Sequence, residues 1–290
     1  MADVDPSVFT YRVRLTMTSL LWAAWLCLPS VLRLKAYKAL EHYGHDTGST
    51  AVVELPFGLY AKRRYGTTVT EALVTQHISL NTTIPVPAIL DVLRDNRGEI
   101  YFVMTRVPGK EVAAKARSLN DYTDEELTTF VATVGGWLAQ LRGLGPPPYG
   151  ASVCGYMGGS LMSYRIKHDA AVGPFASQDE FHAQYYNTLP EHANTDICHL
   201  CARIRQKRYR LCLTHGDISP NNILVDDDYK PVALIDWGCA AWMPEYWELT
   251  SALYRRQRYH GWVKTITRAL PQYEDELTVE MEQWKFISPW

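Results

Sequence analysis

The chain has 290 residues, 47% of them hydrophobic and 21% charged, with a formal net charge of −2. That apolar content is enough for a sizeable buried core and rules out wholesale disorder. The near-neutral balance gives no field that would gather nucleic acid over the surface, so a nucleic-acid partner is not expected. Six cysteines (Cys27, Cys154, Cys198, Cys201, Cys212 and Cys239) are too few and too scattered for a disulfide-stapled secreted scaffold. They read as reduced thiols of a cytoplasmic protein. Cys198-His-Leu-Cys201 lacks the second pair that a zinc site needs, and reads as helix packing.

Taken in chain order, Leu15–Leu32 carries no charge and is flanked by Arg12, Arg14, Arg33 and Lys35. Its length barely reaches what a bilayer needs, and Thr16, Thr18, Ser19, Pro29 and Ser30 lower its apolar total. The reading is an amphipathic helix packed on the domain, with contact to a membrane surface as the alternative. Ala51–Leu55 and Gly58–Arg63 read as strands joined at Pro56-Phe57, and Thr68–Leu80 as a helix with Thr68 as N-cap. Ile84-Pro-Val-Pro87 breaks that helix, and Ile89–Leu93 and Ile100–Val107 follow as strand-like runs around Asp95-Asn-Arg-Gly98.

Past Gly109 the pattern turns helical. Thr123-Asp-Glu-Glu126 is a capping box leading into Leu127, Phe130, Val131, Val134, Leu138 and Leu141 at helix spacing. Residues 151–180 are glycine-rich and read as loops over a site. Phe181–Leu189 and Asp196–Arg210 read as helices, Ile223–Val225 and Pro231–Ile235 as a hairpin, and Glu245–Tyr259 as the start of a helical tail. The organisation is a helical segment (1–42), a small mixed lobe (43–108) and a larger, mainly helical lobe (109–290), an α+β protein.

The chemistry concentrates in Thr214-His-Gly-Asp-Ile-Ser-Pro-Asn-Asn222 and Leu234-Ile-Asp-Trp237. Asp217 and Asn222 stand on a loop entering a strand, and the next strand ends on Asp236, so the hairpin brings the three around one cleft. A carboxylate there can take a proton from an acceptor hydroxyl, while an amide oxygen and a second carboxylate suit a hard cation. Each residue alone has a plainer reading: a turn aspartate, an Asx-turn and a strand-end carboxylate.

This segment resembles the aminoglycoside phosphotransferase and choline kinase branch of the kinase-like superfamily, whose catalytic loop reads H-G-D-x-x-x-x-N and whose metal segment begins I-D-W or I-D-F/Y. Both motifs are complete and in order, and Cys239–Glu248 resembles fungal members. The resemblance covers roughly residues 50–260. It implies a two-lobed protein kinase-like fold, with a β-rich N-lobe that binds ATP and a C-lobe that binds the acceptor. Asp217 would be the base, Asn222 and Asp236 would hold Mg²⁺, and His215 would orient the loop. Lys62, in the strand Leu59-Tyr-Ala-Lys62, corresponds to the phosphate-binding lysine, with Arg63 and Arg64 as competing assignments. Glu71 is either its ion-pair partner or the capping-box partner of Thr68. The backbone of Thr105 to Val107 would meet adenine, with Met104 behind it. The nucleotide-covering loop should fall near Gly44–Ser49, where Gly44 and Gly48 stand in place of a G-x-G-x-x-G.

Three further readings bear on function. Arg203, Arg205, Lys207, Arg208 and Arg210 form either a solvated helix face or an anion-attracting run. Trp242, Tyr246 and Trp247 either pack a helix or line an acceptor pocket. No Ala-Pro-Glu segment follows Asp236, which argues against a protein kinase. The partner expected is therefore a small-molecule acceptor, and the alternative is a catalytically inactive relative that binds a nucleotide or partner without turnover. Antibiotic, amino alcohol, sugar and secondary metabolite are all compatible acceptors.

Overall fold

The computed structural model describes the chain except at residues 1–3, 12–16, 46, 48, 50, 64, 65, 116, 146, 151, 187–194, 255, 257, 258 and 286–290, and gives only the backbone at 17–19, 168 and 169. The chain divides into two compact units, Met1–Pro108 and Gly109–Trp290.

The first unit begins with helices α1 (Met17–Leu26) and α2 (Ser30–Leu40). The uncharged run predicted as one helix is thus two, because Pro29 cannot continue a helix and instead caps the start of α2; residues 15 and 16 lie outside the described residues. Strands β1 (Val52–Leu55), β2 (Leu59–Arg63), β3 (Ile89–Arg94) and β4 (Ile100–Thr105) form an antiparallel sheet in the order β1-β2-β4-β3. Helix α3 (Val69–Asn81) follows β2. Alternation sends the two faces of the sheet to different cores. Leu55, Ala61, Leu90, Leu93, Tyr101 and Val103 pack with Tyr37 of α2, while Ile89, Val92, Ile100 and Phe102 pack with Val69 and Ala72 of α3.

Helices α1 and α2 dock through polar anchors as well as apolar ones. Trp22 Nε1 donates to the Leu90 carbonyl at 2.8 Å, and Trp25 Nε1 to the Tyr37 hydroxyl at 2.6 Å. Tyr37 donates in turn to Asp91, which also pairs with Arg33. Asp91 is buried, and removing one partner of such a pair leaves a buried charge at a cost of about 3–5 kcal/mol. Among the described residues no helix is long and apolar enough to cross a membrane.

In the second unit a short strand, β5 (Lys110–Glu111), precedes α4 (Asp124–Gly143), whose start is the Thr123/Glu126 capping box. The predicted loops of 151–180 contain three short strands, β6 (Cys154–Gly155), β7 (Leu161–Ser163) and β8 (Lys167–Val172). They are two to six residues long and the β7–β8 register shifts at Leu161/Ser163, so no alternation is legible. Helices α5 (Gln178–Tyr185) and α6 (Thr195–Gln206) lead to β9 (Leu211–Thr214), then the hairpin β10 (Ile223–Val225) and β11 (Pro231–Leu234), β12 (Ala241–Pro244), α7 (Trp247–Leu253), α8 (His260–Ala269) and α9 (Glu274–Gln283). Residues 187–189 of the predicted Phe181–Leu189 helix lie outside the described residues. β12 pairs β9 on one side and β6 on the other, while β10 pairs β11 and β5.

Candidate active site

Lys62 lies on β2 opposite Phe102 of β4, on the sheet face that α3 covers. Its Nζ reaches Glu71 Oε1 at 2.6 Å, and both side chains are largely buried. Thr68 caps α3 by accepting from the Glu71 backbone N–H at 3.1 Å. The Glu71 backbone thus serves the Thr68 cap, while its side chain goes to the lysine. Arg63 points elsewhere and pairs with Glu41 at 3.2 Å; Arg64 lies outside the described residues.

Met104 pairs with Tyr60 and shares the face of Lys62, packed against the α3 core. The Thr105 N–H donates to the Ala88 carbonyl at 2.9 Å, and the Arg106 N–H to the Gly58 carbonyl at 2.8 Å. Val107 is half-buried just beyond the strand end. Gly44 has a packing role: a Cβ there would stand 1.7 Å from the Glu54 carbonyl oxygen. The Thr47 hydroxyl donates to the Val52 carbonyl, and the Ser49 hydroxyl accepts from the Ala51 and Val52 N–H groups, so a hydroxyl-built turn leads into β1. Gly48 lies outside the described residues.

The polar constellation of the second unit is built on the loop leaving β9. Glu248, in the first turn of α7, is 3% exposed and accepts the His215 N–H on one carboxylate oxygen (2.6 Å) and the Gly216 N–H on the other (3.1 Å). Burial is the main influence on Glu248 and pushes its pKa up to about 7, against the pull of those two donors. Gly216 has φ +79°, and a Cβ would stand 2.4 Å from the Cys239 carbonyl oxygen, so glycine is required. The His215 ring stacks obliquely on Trp237, with centroids 4.7 Å apart. Its Nδ1 accepts the Asp217 N–H at 3.3 Å, which leaves Nε2–H to donate to the Ile235 carbonyl at 3.0 Å. His215 thereby ties the loop to the end of β11.

Asn222 Nδ2 donates to the Asp217 carbonyl (2.8 Å) and to Asp217 Oδ2 (3.2 Å), while the Asn222 carbonyl accepts the Ile235 N–H. Asp236 follows with φ 64°, a left-handed turn that aspartate tolerates better than most residues. Asp217 carries a pKa raised above the ordinary carboxylate range, chiefly by burial; Arg256 and His215 oppose the rise and the charge of Asp236 adds to it. Arg256 Nη2 donates to Asp217 Oδ1 at 3.2 Å. The second unit thus brings Asp217, Asn222 and Asp236 together. The donor set suits Mg²⁺: with the Asn222 nitrogen engaged by Asp217, its amide oxygen and the Asp236 carboxylate are ligands of the hard-oxygen kind that this cation takes. Among the described residues no cluster of three or more acidic, histidine or cysteine ligands exists. Mg²⁺ needs only one or two protein ligands when waters and phosphates complete its shell.

Residues 46–281 match the model of the phosphotransferase enzyme family. The chain belongs to that family. Solved structures agree on the fold, which is the α+β, two-lobed protein kinase-like one. A thermostable mutant of aminoglycoside phosphotransferase APH(4)-Ia in its apo form is 14% identical over 81% of this chain and 80% of its own, with a TM-score of 0.52. A further mutant form of the same enzyme, in a ternary complex with ADP and hygromycin B, is 13% identical over 84% and 83%, at 0.50. A putative aminoglycoside phosphotransferase from Ralstonia eutropha is 12% identical over 85% of each chain, at 0.51. No curated protein matches the chain. As a member of the phosphotransferase family the chain is a small-molecule kinase.

Sequence reasoning missed Glu248 and Arg256. The signal for Glu248 was available, a lone acid inside the apolar stretch Trp-Glu-Leu-Thr-Ser-Ala-Leu. The basic run is a solvated face: Arg203 and Lys207 reach Asp275, Arg208 reaches Asp179, and all three are substantially exposed. Trp242, Tyr246 and Trp247 are buried packing residues. Beside Asp217 opens a cavity of about 860 Å³, lined in part by Leu119, Tyr254, Tyr259 and Trp262.

Proposed function

We propose that the chain transfers the γ-phosphoryl group of ATP to a hydroxyl of a small molecule. The β–γ phosphoanhydride bond breaks, a phosphate ester forms on the acceptor oxygen, ADP leaves, and Asp217 takes the hydroxyl proton. Mg²⁺, when bound at Asn222 and Asp236, would neutralise charge on the phosphates. The observation that carries this reading is the placement of Asp217: Glu248 holds the His215 and Gly216 N–H groups just before it, His215 Nδ1 accepts its own N–H, and it lines a cavity sized for a small molecule. Burial raises its affinity for a proton, the direction that suits a general base.

On the nucleotide side, Lys62 held by Glu71 is the phosphate contact. With the Thr105 and Arg106 N–H groups already bonded, adenine recognition falls to Val107 and the carbonyls of this stretch, with Met104 behind. The neighbour solved with ADP and hygromycin B supports a nucleotide and a small acceptor.

Purified protein incubated with Mg-ATP and a library of hydroxyl compounds should release ADP and add the mass of one phosphate to a library member. Asp217→Asn should reduce this turnover at least a hundredfold while retaining nucleotide binding. Undiminished turnover would remove Asp217 from the role of base. Arg256, lying on Asp217, favours a second reading in which nucleotide binds without transfer. Nucleotide binding with no acceptor consumed across the library would select it.

A further inference from the structure

The cavity beside Asp217 is lined by four cationic side chains, Lys115, Arg117, Arg165 and Arg256, and among the described residues Asp217 is its only carboxylate. The partners of the first three stand outside the lining. Lys115 Nζ lies 3.3 Å from Asp227, whose side chain is fully exposed while that of Lys115 is 9% exposed. Arg117 pairs with Glu126, both of them partly exposed, and its guanidinium lies over the Tyr122 and Tyr229 rings. Pairs with a solvated partner are worth little, so Lys115 and Arg117 can exchange their partners for a better one.

Arg165 is more constrained. It is 2% exposed, with Nη1 donating to Thr250 Oγ1 (2.7 Å) and to the buried Glu280 (2.5 Å), and its guanidinium carbon lies 3.4 Å from the centroid of the Trp247 ring. Its Nε and Nη2 have no hydrogen-bond partner among the described residues. A buried guanidinium with unmet donors is a standing requirement for an acceptor, since leaving such groups unpaired costs about 1–3 kcal/mol. Glu280 balances Arg165 and Asp217 balances Arg256, so the positive character of the wall rests on Lys115 and Arg117, whose counter-ions are solvated. A multiply protonated aminoglycoside would bring further positive charge against those two, and an oxyanion would pair with them.

We propose that the acceptor is a small molecule carrying both the hydroxyl to be phosphorylated and an anionic carboxylate or phosphate, which Lys115 and Arg117 bind. This rests on the phosphotransfer reading above, yet it is testable without turnover. The 290-residue chain saturated with AMP-PNP and Mg²⁺, so that the nucleotide site is occupied, is titrated calorimetrically with benzoate, inorganic phosphate and hygromycin B. Saturable binding of benzoate or phosphate is expected, with the tighter of the two identifying the anion class, and no binding of hygromycin B. The Lys115→Gln/Arg117→Gln double variant should weaken anion binding at least tenfold, and the single Lys115→Gln variant serves if the double does not fold. Arg208→Gln, on the distant basic run, should leave it unchanged.

No anion binding by the wild type, unaltered affinity in the Lys115 and Arg117 variants, anions displaced by nucleotide, or preferential binding of hygromycin B would each overturn the proposal. Failure of the phosphotransfer reading registers separately, as absence of AMP-PNP binding in a preliminary titration or as nucleotide binding with no ADP released across the acceptor library. In the first case the anion titrations are read without nucleotide.

Discussion

Replacing Glu248 by Gln keeps the shape of the side chain and changes only what it offers to the loop. The carboxylate gives one oxygen to the His215 N–H and the other to the Gly216 N–H. An amide retains one acceptor and turns its NH₂ toward the second N–H, donor against donor. Losing one buried, charge-assisted hydrogen bond costs about 1.5–3 kcal/mol. Against that stands the burial of charge, which pushes the Glu248 pKa from the ordinary 4.5 up to about 7. At about 1.4 kcal/mol per pKa unit, an ionised Glu248 costs the fold about 3 kcal/mol relative to acidic solution. Because the folded value lies above the unfolded one, stability is full below the unfolded pKa and is lost as pH rises through about 7. The amide does not carry this loss.

The folded value of about 7 already includes the pull of the two backbone donors, so the amide should match the protonated acid at about pH 5 and exceed the wild type by up to about 3 kcal/mol at about pH 8, where the urea midpoint of Glu248→Gln should be the higher. Catalysis should fall nonetheless. A shift of about 1 Å at Asp217 is worth about a hundredfold in rate, and kcat should fall by that order with KM for nucleotide little changed. Urea unfolding between about pH 5 and pH 8 and steady-state kinetics on the same preparations give both quantities. The stability of the variant relative to wild type should rise by up to about 3 kcal/mol across that range. A flat difference would mean that Glu248 is not titrating in the fold. Undiminished kcat would mean that the two backbone bonds do not position Asp217.

Three further outcomes follow from the same geometry. Arg256→Gln removes the cation that opposes the raised pKa of Asp217, so the acidic limb of kcat/KM should move to higher pH; an unmoved limb would separate Arg256 from the base. A double-mutant cycle of Lys62→Met and Glu71→Gln, read by stability, should show a coupling of at least about 1 kcal/mol, and zero coupling would reduce Glu71 to its place beside the Thr68 cap. Asp236→Ala should abolish the gain in nucleotide affinity that Mg²⁺ gives in the wild type, and equal metal dependence in the variant would put the ion elsewhere.

What was legible in the sequence was whatever the chain keeps local. The loop from His215 to Asn222 and the strand end at Asp236 are contiguous polar interruptions of apolar runs, and hairpin geometry suffices to bring them together. Lys62 and Glu71 lie nine residues apart, across one strand end and one helix start, and a single lysine in an apolar strand marks the pair. β9 and β12 escaped because every one of their residues is buried. Without a solvent face there is no alternation to read, and a run of four residues is too short to carry a period of its own.

The parts that stayed hidden share a different cause: they depend on long-range closure. Glu248 reaches its loop across 32 and 33 residues and Arg256 reaches Asp217 across 39, and nothing in either local sequence names the partner. The cavity charge is hidden in the same way. Lys115 and Arg117 follow a short 3-10 helix after β5, and Arg165 sits in the β7–β8 turn, so their convergence exists only once the second unit has folded. The motif residues hold and transfer a phosphoryl group, work that is common to many acceptors, and can therefore be fixed in short local patterns. Choosing the acceptor requires a wall assembled from separate elements, and a wall of that kind can change its charge without disturbing the loop that Glu248 and His215 hold in place.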